Sequence, residues 1–335
     1  MQPITVDPIT LAKEIIAGRR ITREDDLTYF LNCDLDELCK GADMIREYGV
    51  GNKVDFCSII NGRSGRCSEN CRFCAQSAHN PTGCEEYAFL PEEDILALAR
   101  ANQREGVHRF SIVTAGRALA GKDFDKAIHA YETMGKELGI KLCASMGFVT
   151  KEQLRRLKEA GVENYHCNIE TSKANFPNIC TTHTYDMKIE TLKMAKEVGL
   201  NACSGGIMGM GETWEDRLDM AISLSEVGVF SIPLNCLMPI PGTPFENLPR
   251  LTEAEILRIV AFFRYMNPKA HIRLAAGRAL LTNDGEYAFK SGASATITGN
   301  MLTTAACATI RSERKMFKAL GRDITPPYPF EEPEE

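Results

Sequence analysis

Eight short apolar or β-branched segments recur from residue 54 onward: VDFCSII, HRFSIVTAG, IKLCASMG, ENYHCNIET, NACSGGIMG, SIPLNCLMP, HIRLAAG and ATITGN. Between most of them lie amphipathic stretches of helix formers, such as PEEDILALARANQREG, TKEQLRRLKEAG, TYDMKIETLKMAKEVG and LTEAEILRIVAFFRYMN, several ending on the glycine that stops a helix. Strands alternating with helices imply right-handed βαβ units and a parallel sheet. Eight units over about 260 residues match an α/β fold of the (β/α)8 TIM-barrel type. A doubly wound open sheet is the competing arrangement. Residues 1–50 read as a helical N-terminal extension, opening with DPITLAKEIIAGRR, and residues 51–320 as the barrel. Residues 321–335 form a Pro- and Glu-rich tail, expected to be loosely held.

Catalytic groups of such a barrel collect at the C-terminal ends of its strands. The segment after the first strand, NGRSGRCSENCRFCAQSAHN, places Cys67, Cys71 and Cys74 within eight residues among Arg, Asn, Ser and Gln. One reading is the buried face of a helix, although Arg63, Arg66, Glu69, Asn70 and Arg72 make such burial costly. A structural zinc site normally takes four protein ligands, and no fourth Cys or His follows at finger spacing. Iron–sulfur clusters are held by closely spaced thiolates, usually four, and three would leave one iron open to a small molecule. The chain has 13 cysteines, an odd number, and MQPITVDPIT is no signal peptide, so a disulfide framework is not expected. With 44% hydrophobic residues, 25% charged residues and no bilayer-length apolar run, the chain reads as a soluble cytoplasmic protein rather than a membrane protein. A net charge of −6 offers no footprint for nucleic acid.

The CxxxCxxC spacing, with Phe73 just before its last cysteine, resembles the radical S-adenosylmethionine superfamily. RSGRCSENCRFCAQSAHNPTG, NIETSKANFPNICTTHTYD, CSGGIMGMGET, IPLNCLMPIPGTP, IRLAAGR and MLTTAAC are similar, in order, to the biotin synthase family across roughly residues 45–320. The resemblance implies a sulfurtransferase that inserts sulfur into dethiobiotin, the last step of biotin formation. It implies a 4Fe–4S cluster on Cys67, Cys71 and Cys74 that binds S-adenosylmethionine and cleaves it to a radical. It further implies an auxiliary iron–sulfur cluster as sulfur source, a flavodoxin or ferredoxin as electron donor, and a homodimer.

Carried over residue by residue, the resemblance assigns Asn168, Glu170, Ile207 and Phe73 to S-adenosylmethionine. It assigns Asn235, Asn168 and Arg63 to dethiobiotin, where an amide side chain supplies the donor and acceptor that a ureido group needs. Strand alternation also puts His166, Asn168 and Glu170 on one face. Cys143, Cys203 and Arg273 match auxiliary-cluster positions, Arg273 also counting among the catalytic residues with Cys67, Cys71 and Cys74; a strand-borne Arg there needs a buried anion. The family's fourth position, a Cys in the second strand, is Ser111 here. Cys57 on the neighbouring first strand is the expected replacement, giving a rebuilt cluster, 2Fe–2S or larger. Cys33, Cys39, Cys84, Cys167, Cys180, Cys236 and Cys307 are expected to be packing residues. GGIMGMGE lacks GxGxxG spacing and is a weak phosphate-loop signal. A related radical enzyme without sulfur insertion, or an iron–sulfur carrier, are the alternative readings.

Overall fold

The structure, a computed structural model, describes residues 1–299 and 309–331, so the whole of MLTTAAC, Cys307 included, lies outside the described residues. Nine parallel strands form one sheet: β1 (Asp55–Arg63), β2 (Arg109–Thr114), β3 (Lys141–Ser145), β4 (Val162–His166), β5 (Asn201–Cys203), β6 (Gly206–Met208), β7 (Ser231–Cys236), β8 (His271–Leu274) and β9 (Ala295–Ile297). Their order is β5-β4-β3-β2-β1-β9-β8-β7-β6, and a β5–β7 pairing of Cys203 with Ser231 closes the ring. β5 and β6 are two halves of one stave broken at Ser204 and Gly205, so the barrel has eight staves, one for each apolar segment of the sequence. Closure excludes the open sheet.

Around the barrel run α1 (Pro8–Ile16), α2 (Tyr29–Asn32), α3 (Leu35–Val50), α4 (Glu92–Arg104), α5 (Gly121–Glu137), α6 (Lys151–Glu159), α7 (Phe176–Ile179), α8 (Tyr185–Glu197), α9 (Trp214–Val227), α10 (Glu253–Met266) and α11 (Ile310–Ala319). Thr150, Thr213 and Thr252 start α6, α9 and α10 with capping boxes, each satisfying two otherwise orphaned backbone donors. Strand alternation sends Phe56, Phe110, Leu142, Tyr165 and Ile272 outward into the fully covered layer beneath the helices. Cys57, Ser111, Cys143, His166, Cys203 and Arg273 point the other way, into the barrel. Polar and thiol side chains therefore fill a space that apolar layers usually fill.

The two chain ends seal the lower face. Val54 N–H donates to Asp323 O at 2.9 Å, and His108 Nε2 donates to Ile324 O at 3.2 Å while Nδ1 accepts from Phe56 N–H at 3.2 Å. With both ring nitrogens committed, His108 is neutral, and burial lowers its pKa to about 4. Tyr328 donates to the carbonyls of Val107 and Gln103, and Phe330 lies under Arg314 at 4.7 Å. The tail, expected to be loose, is docked as far as Phe330, because its two aromatic rings find apolar and cationic partners that its Pro and Glu content hides.

At the N-terminus α3 lies hard against α10. A Cβ on Gly41 would meet Tyr265 Oη at 1.9 Å, and that hydroxyl donates to Pro8 O at 2.8 Å, tying α1, α3 and α10 together. Helix propensity alone would make Gly41→Ala stabilising by about 0.5–1 kcal/mol, whereas overpacking costs about 1–3 kcal/mol. We expect a net loss of stability in urea unfolding; a stabilised variant would show that the Tyr265 contact yields.

Candidate active site

The loop after β1 carries the three thiols and is cross-tied to itself. Ser64 and Tyr87 exchange backbone hydrogen bonds, Cys67 N–H donates to Gln76 O at 3.0 Å, and Ala78 N–H donates to Cys67 O at 2.8 Å. Asn80 Nδ2 donates to the carbonyls of Cys71 (3.1 Å) and Cys74 (2.9 Å). Cys67, Cys71 and Cys74 thus sit on an irregular loop, not a helix face, half-buried and free of disulfides. Phe73 packs beside Ile179, Met210 and Phe245, which turns that part of the loop toward the barrel. Burial pushes the Cys74 thiol up to about 11, so an isolated thiolate is disfavoured there.

Across the mouth, the chain leaves β4 and turns. His166 and Asn168 share one face into the barrel, as expected, and Asn164 lies on it with them. Glu170 does not continue that alternation: its φ is +69°, a left-handed backbone that a non-glycine residue adopts only under constraint. The constraint is local pairing, for Glu170 N–H donates to Gly205 O (3.2 Å) and Ile207 N–H donates to Glu170 O (3.0 Å). A Cβ on Gly206 would lie 2.3 Å from Glu170 O, so only glycine admits this approach. Burial raises the Glu170 carboxyl and nearby Lys188 opposes that rise. Its Oε2 is buried with no partner among the described residues. Asn168 Oδ1 accepts from Gly205 N–H at 2.9 Å. Asn235, opposite Ile207 in register, donates to Gly206 O (3.1 Å) and accepts from Ala276 N–H (3.1 Å), leaving one proton and one lone pair free of these bonds.

Asn168 and Asn235 line the upper part of a cavity of about 180 Å³, and Cys57, Cys143, Cys203 and Ser111 line it lower down with Arg273. The thiols of Cys57 and Cys143 lie within hydrogen-bond reach, which with Arg273 lowers Cys57, while the same pairing raises Cys143. Cys203 Sγ lies 3.4 Å from His166 Nδ1. Burial holds His166 neutral, at about 4, and pushes Cys203 up to about 12. In register Cys57 stands opposite Arg109 and Ser111 opposite Ile59, so the two candidates for one position are on neighbouring strands, two residues apart in height.

Arg273 has the anion it requires. Its Nη2 donates to Asp55 Oδ1, Nη1 to Asp55 O (3.0 Å) and Thr296 O (2.7 Å), and Nε to Ser231 Oγ (3.3 Å). Arg109 Nε donates to the other carboxylate oxygen of Asp55 at 2.9 Å. Burial would raise the Asp55 carboxyl, yet the two guanidiniums hold it well below the usual range.

Some placements differ from expectation. Arg63 turns aside at the mouth, donating to Ala115 O from Nε (2.9 Å) and Nη2. The glycines of GGIMGMGE close on the chain's own Glu212, which accepts from Gly209 and Met210 N–H at 2.7 Å each and pairs with Arg217, so no phosphate cradle remains. Cys167 and Cys236 are buried packing residues, but Cys180 is not mere packing: its thiol neighbours Cys71, and His183 Nδ1 is 3.4 Å away. The sequence reading missed Asp55, Lys188 and the Glu69–His183 pair. An acid inside the first strand, two residues before Cys57, was the available signal for Asp55.

The chain matches the radical SAM superfamily over residues 62–224 and the Biotin and Thiamin Synthesis associated domain over residues 233–323. It is 59% identical to the biotin synthase of Clostridium beijerinckii over 314 residues, 94% of this chain and 99% of that one. The biotin synthase of Alkaliphilus metalliredigens is 57% identical over 311 residues, covering 93% and 98%. The chain belongs to the biotin synthase family. Methylornithine synthase shares the fold at 19% identity, with a TM-score of 0.80 over 93% of this chain and 96% of that one. The FeFe-hydrogenase maturase HydG of Carboxydothermus hydrogenoformans does so at 17% identity, TM-score 0.74, over 94% and 79%. Within the biotin synthase family fold, no described helix of this chain is long and apolar enough to cross a membrane.

Asp55→Asn keeps the shape but leaves two buried guanidiniums without their carboxylate. Breaking a buried pair costs about 3–5 kcal/mol, so this variant should unfold at much lower urea than the parent; a midpoint within error of the parent would show the charge to be dispensable.

Proposed function

We propose that this chain converts dethiobiotin to biotin, and the observation that carries the reading is two sets of thiols at two depths of one barrel. Cys67, Cys71 and Cys74 stand on the mouth loop, and Cys57, Cys143 and Cys203 line the cavity below, above a buried Arg–Asp pair. When bound, a 4Fe–4S cluster with S-adenosylmethionine supplies a 5′-deoxyadenosyl radical, and an auxiliary cluster supplies sulfur.

The residues present fit these groups. Three free thiols on one short loop suit a cluster with one open iron. The orphaned Glu170 Oε2 is a buried acceptor that the amino group or ribose hydroxyls of S-adenosylmethionine would satisfy, and Asn168 and Ile207 flank it. Lys188, half-buried near Glu170, is the cation we assign to the carboxylate of the same molecule. Asn235 and Asn168 present an amide pair to the ureido ring, and Arg63, tied to Ala115 O beside the mouth, keeps its assignment to the substrate from the family resemblance alone.

Below, Cys57, Cys143 and Cys203 hold the auxiliary cluster, 2Fe–2S or larger, and Cys57 replaces the thiol absent at Ser111. Thiolate binds iron far better than a hydroxyl does. Arg273, fixed by Asp55, acts as the counter-charge that favours thiolate at this depth rather than as a lone-pair donor, since a guanidinium has none to give. Floor thiols of this kind favour sulfur insertion over a radical reaction without it. We assign the enzyme to the cytoplasm, as a homodimer reduced by a flavodoxin or ferredoxin.

Replacing Cys67, Cys71 or Cys74 by Ala should abolish cleavage of S-adenosylmethionine to 5′-deoxyadenosine; retained cleavage would overturn the assignment. Cys57→Ala should lower bound iron and sulfide and stop biotin formation while cleavage continues, whereas an unchanged iron count with biotin still formed would make Cys57 a packing residue. Asn235→Ala should weaken dethiobiotin binding by about 1–3 kcal/mol, read as a raised KM, because a ureido donor or acceptor goes unpaired in a dry site.

A further inference from the structure

Beside the mouth loop, three metal-ligating groups from two chain segments converge. The Sγ atoms of Cys71 and Cys180 and a ring nitrogen of His183 all lie within 4.8 Å of one another. Cys180 ends α7 and His183 follows three residues later, so both come from the segment that packs on the loop. The packing is specific: Asn70 Oδ1 accepts from Thr181 N–H (2.9 Å) and Thr182 N–H (3.2 Å), and Arg72 N–H donates to Ile179 O (3.0 Å). Glu69 Oε2 accepts from His183 Nδ1 at 2.5 Å, Thr182 Oγ1 at 2.9 Å and Arg117 Nη1 at 3.1 Å. Cys180 and His183 are buried, and Cys71 is half-buried.

We propose that Cys71, Cys180 and His183 form a mononuclear site for a thiophilic divalent transition-metal ion, distinct from the three-cysteine cluster site but sharing Cys71 with it. A tetrahedral ion with bonds of about 2.3 Å to sulfur and 2.0–2.1 Å to nitrogen sets sulfur and nitrogen about 3.6 Å apart and two sulfurs about 3.8 Å apart. Cys180 Sγ and His183 Nδ1 are already 3.4 Å apart, so the pair is preset to within a few tenths of an ångström. Two thiolates and one imidazole leave a fourth position for water; coordination through Nδ1 displaces its hydrogen bond to Glu69 and moves the ring proton to Nε2, which is buried with no partner among the described residues. Binding releases the two thiol protons and transfers no electrons. One thiolate cannot serve both this ion and the cluster here, so the ion occupies the cluster-free chain and leaves as the cluster forms. This exclusion rests on the assignment of Cys71 to the cluster; the ion site itself does not.

The test uses the cluster-free full chain under anaerobic conditions, titrated with Co²⁺, whose thiolate charge-transfer and tetrahedral d–d absorption report ligand number and geometry. One equivalent should bind with the spectrum of two thiolates, and Zn²⁺, higher in the affinity order, should displace it. Cys180→Ser should lose half of the charge-transfer intensity and weaken Co²⁺ binding at least tenfold; His183→Gln should weaken binding similarly but keep the charge-transfer intensity of two thiolates at saturation, while Cys67→Ala and Cys74→Ala should bind as the parent does. Equal losses in Cys67→Ala and Cys74→Ala would move the ion to the three-cysteine set and overturn the proposal, leaving the cluster assignment intact. No tetrahedral cobalt in the parent would overturn it as well. Cys180→Ser should still rebuild the 4Fe–4S cluster and cleave S-adenosylmethionine, which separates this site from the cluster; loss of cluster in that variant refutes the separation. Iron and sulfide added to the cobalt-loaded parent should expel one Co²⁺ per cluster formed, and cobalt retained beside a full cluster would refute the sharing of Cys71.

Discussion

The Asp55 carboxylate between Arg273 and Arg109 is the interaction on which the inner barrel depends. Two guanidiniums are buried there against one buried carboxylate, and the second acid on Arg109, Glu163, stands at the solvent edge. The interior below the cavity therefore carries an excess of positive charge at the level of three thiols. Such a charge is expensive to bury without use, and it is repaid when thiolates form above it. The same ion pair joins β1, β2 and β8, so the electrostatics of the site and the closure of the barrel share residues.

Higher up, the arrangement is built from backbone rather than charge. The break between β5 and β6 lets Gly206 come against Glu170, and Glu170 takes up a left-handed conformation that brings its carboxylate to the mouth. The strain of that residue is held by two backbone hydrogen bonds. Lys188 arrives from α8, the helix that follows β4, and Asn235 from β7. Lys188 thus lies near Glu170, while Asn235 and Asn168 line the cavity from β7 and from the end of β4.

The barrel was legible because the staves are compact β-branched segments, most of them followed by an amphipathic helix, and both periodicities are local properties. All eight segments read as strands form strands, down to the weak ATITGN. The three cysteines were legible for the same reason, their spacing being sequential. What lay hidden was the set of contacts between segments far apart in number: Asp55 with Arg273 across 218 residues, and Glu69 with His183 across 114. Cys180 was read as packing because a lone cysteine near a polar turn has no local pattern to mark it. The Glu170 turn escaped because strand alternation carries on in the sequence, NIET, past the point where the backbone departs from it.

Closure by β9 has a consequence for how the chain is made. β1 is paired on one side by β2 but on the other only by β9, and the residues below it are capped by Asp323 and Ile324. From Asp55 to its partner Ala295 the ribosome must add 240 further residues. At about 5–20 residues per second that takes roughly 10–50 s. Throughout that time β1, the longest strand, presents an open hydrogen-bonding edge next to thiols not yet enclosed. The strand that is synthesised first is the last to be covered.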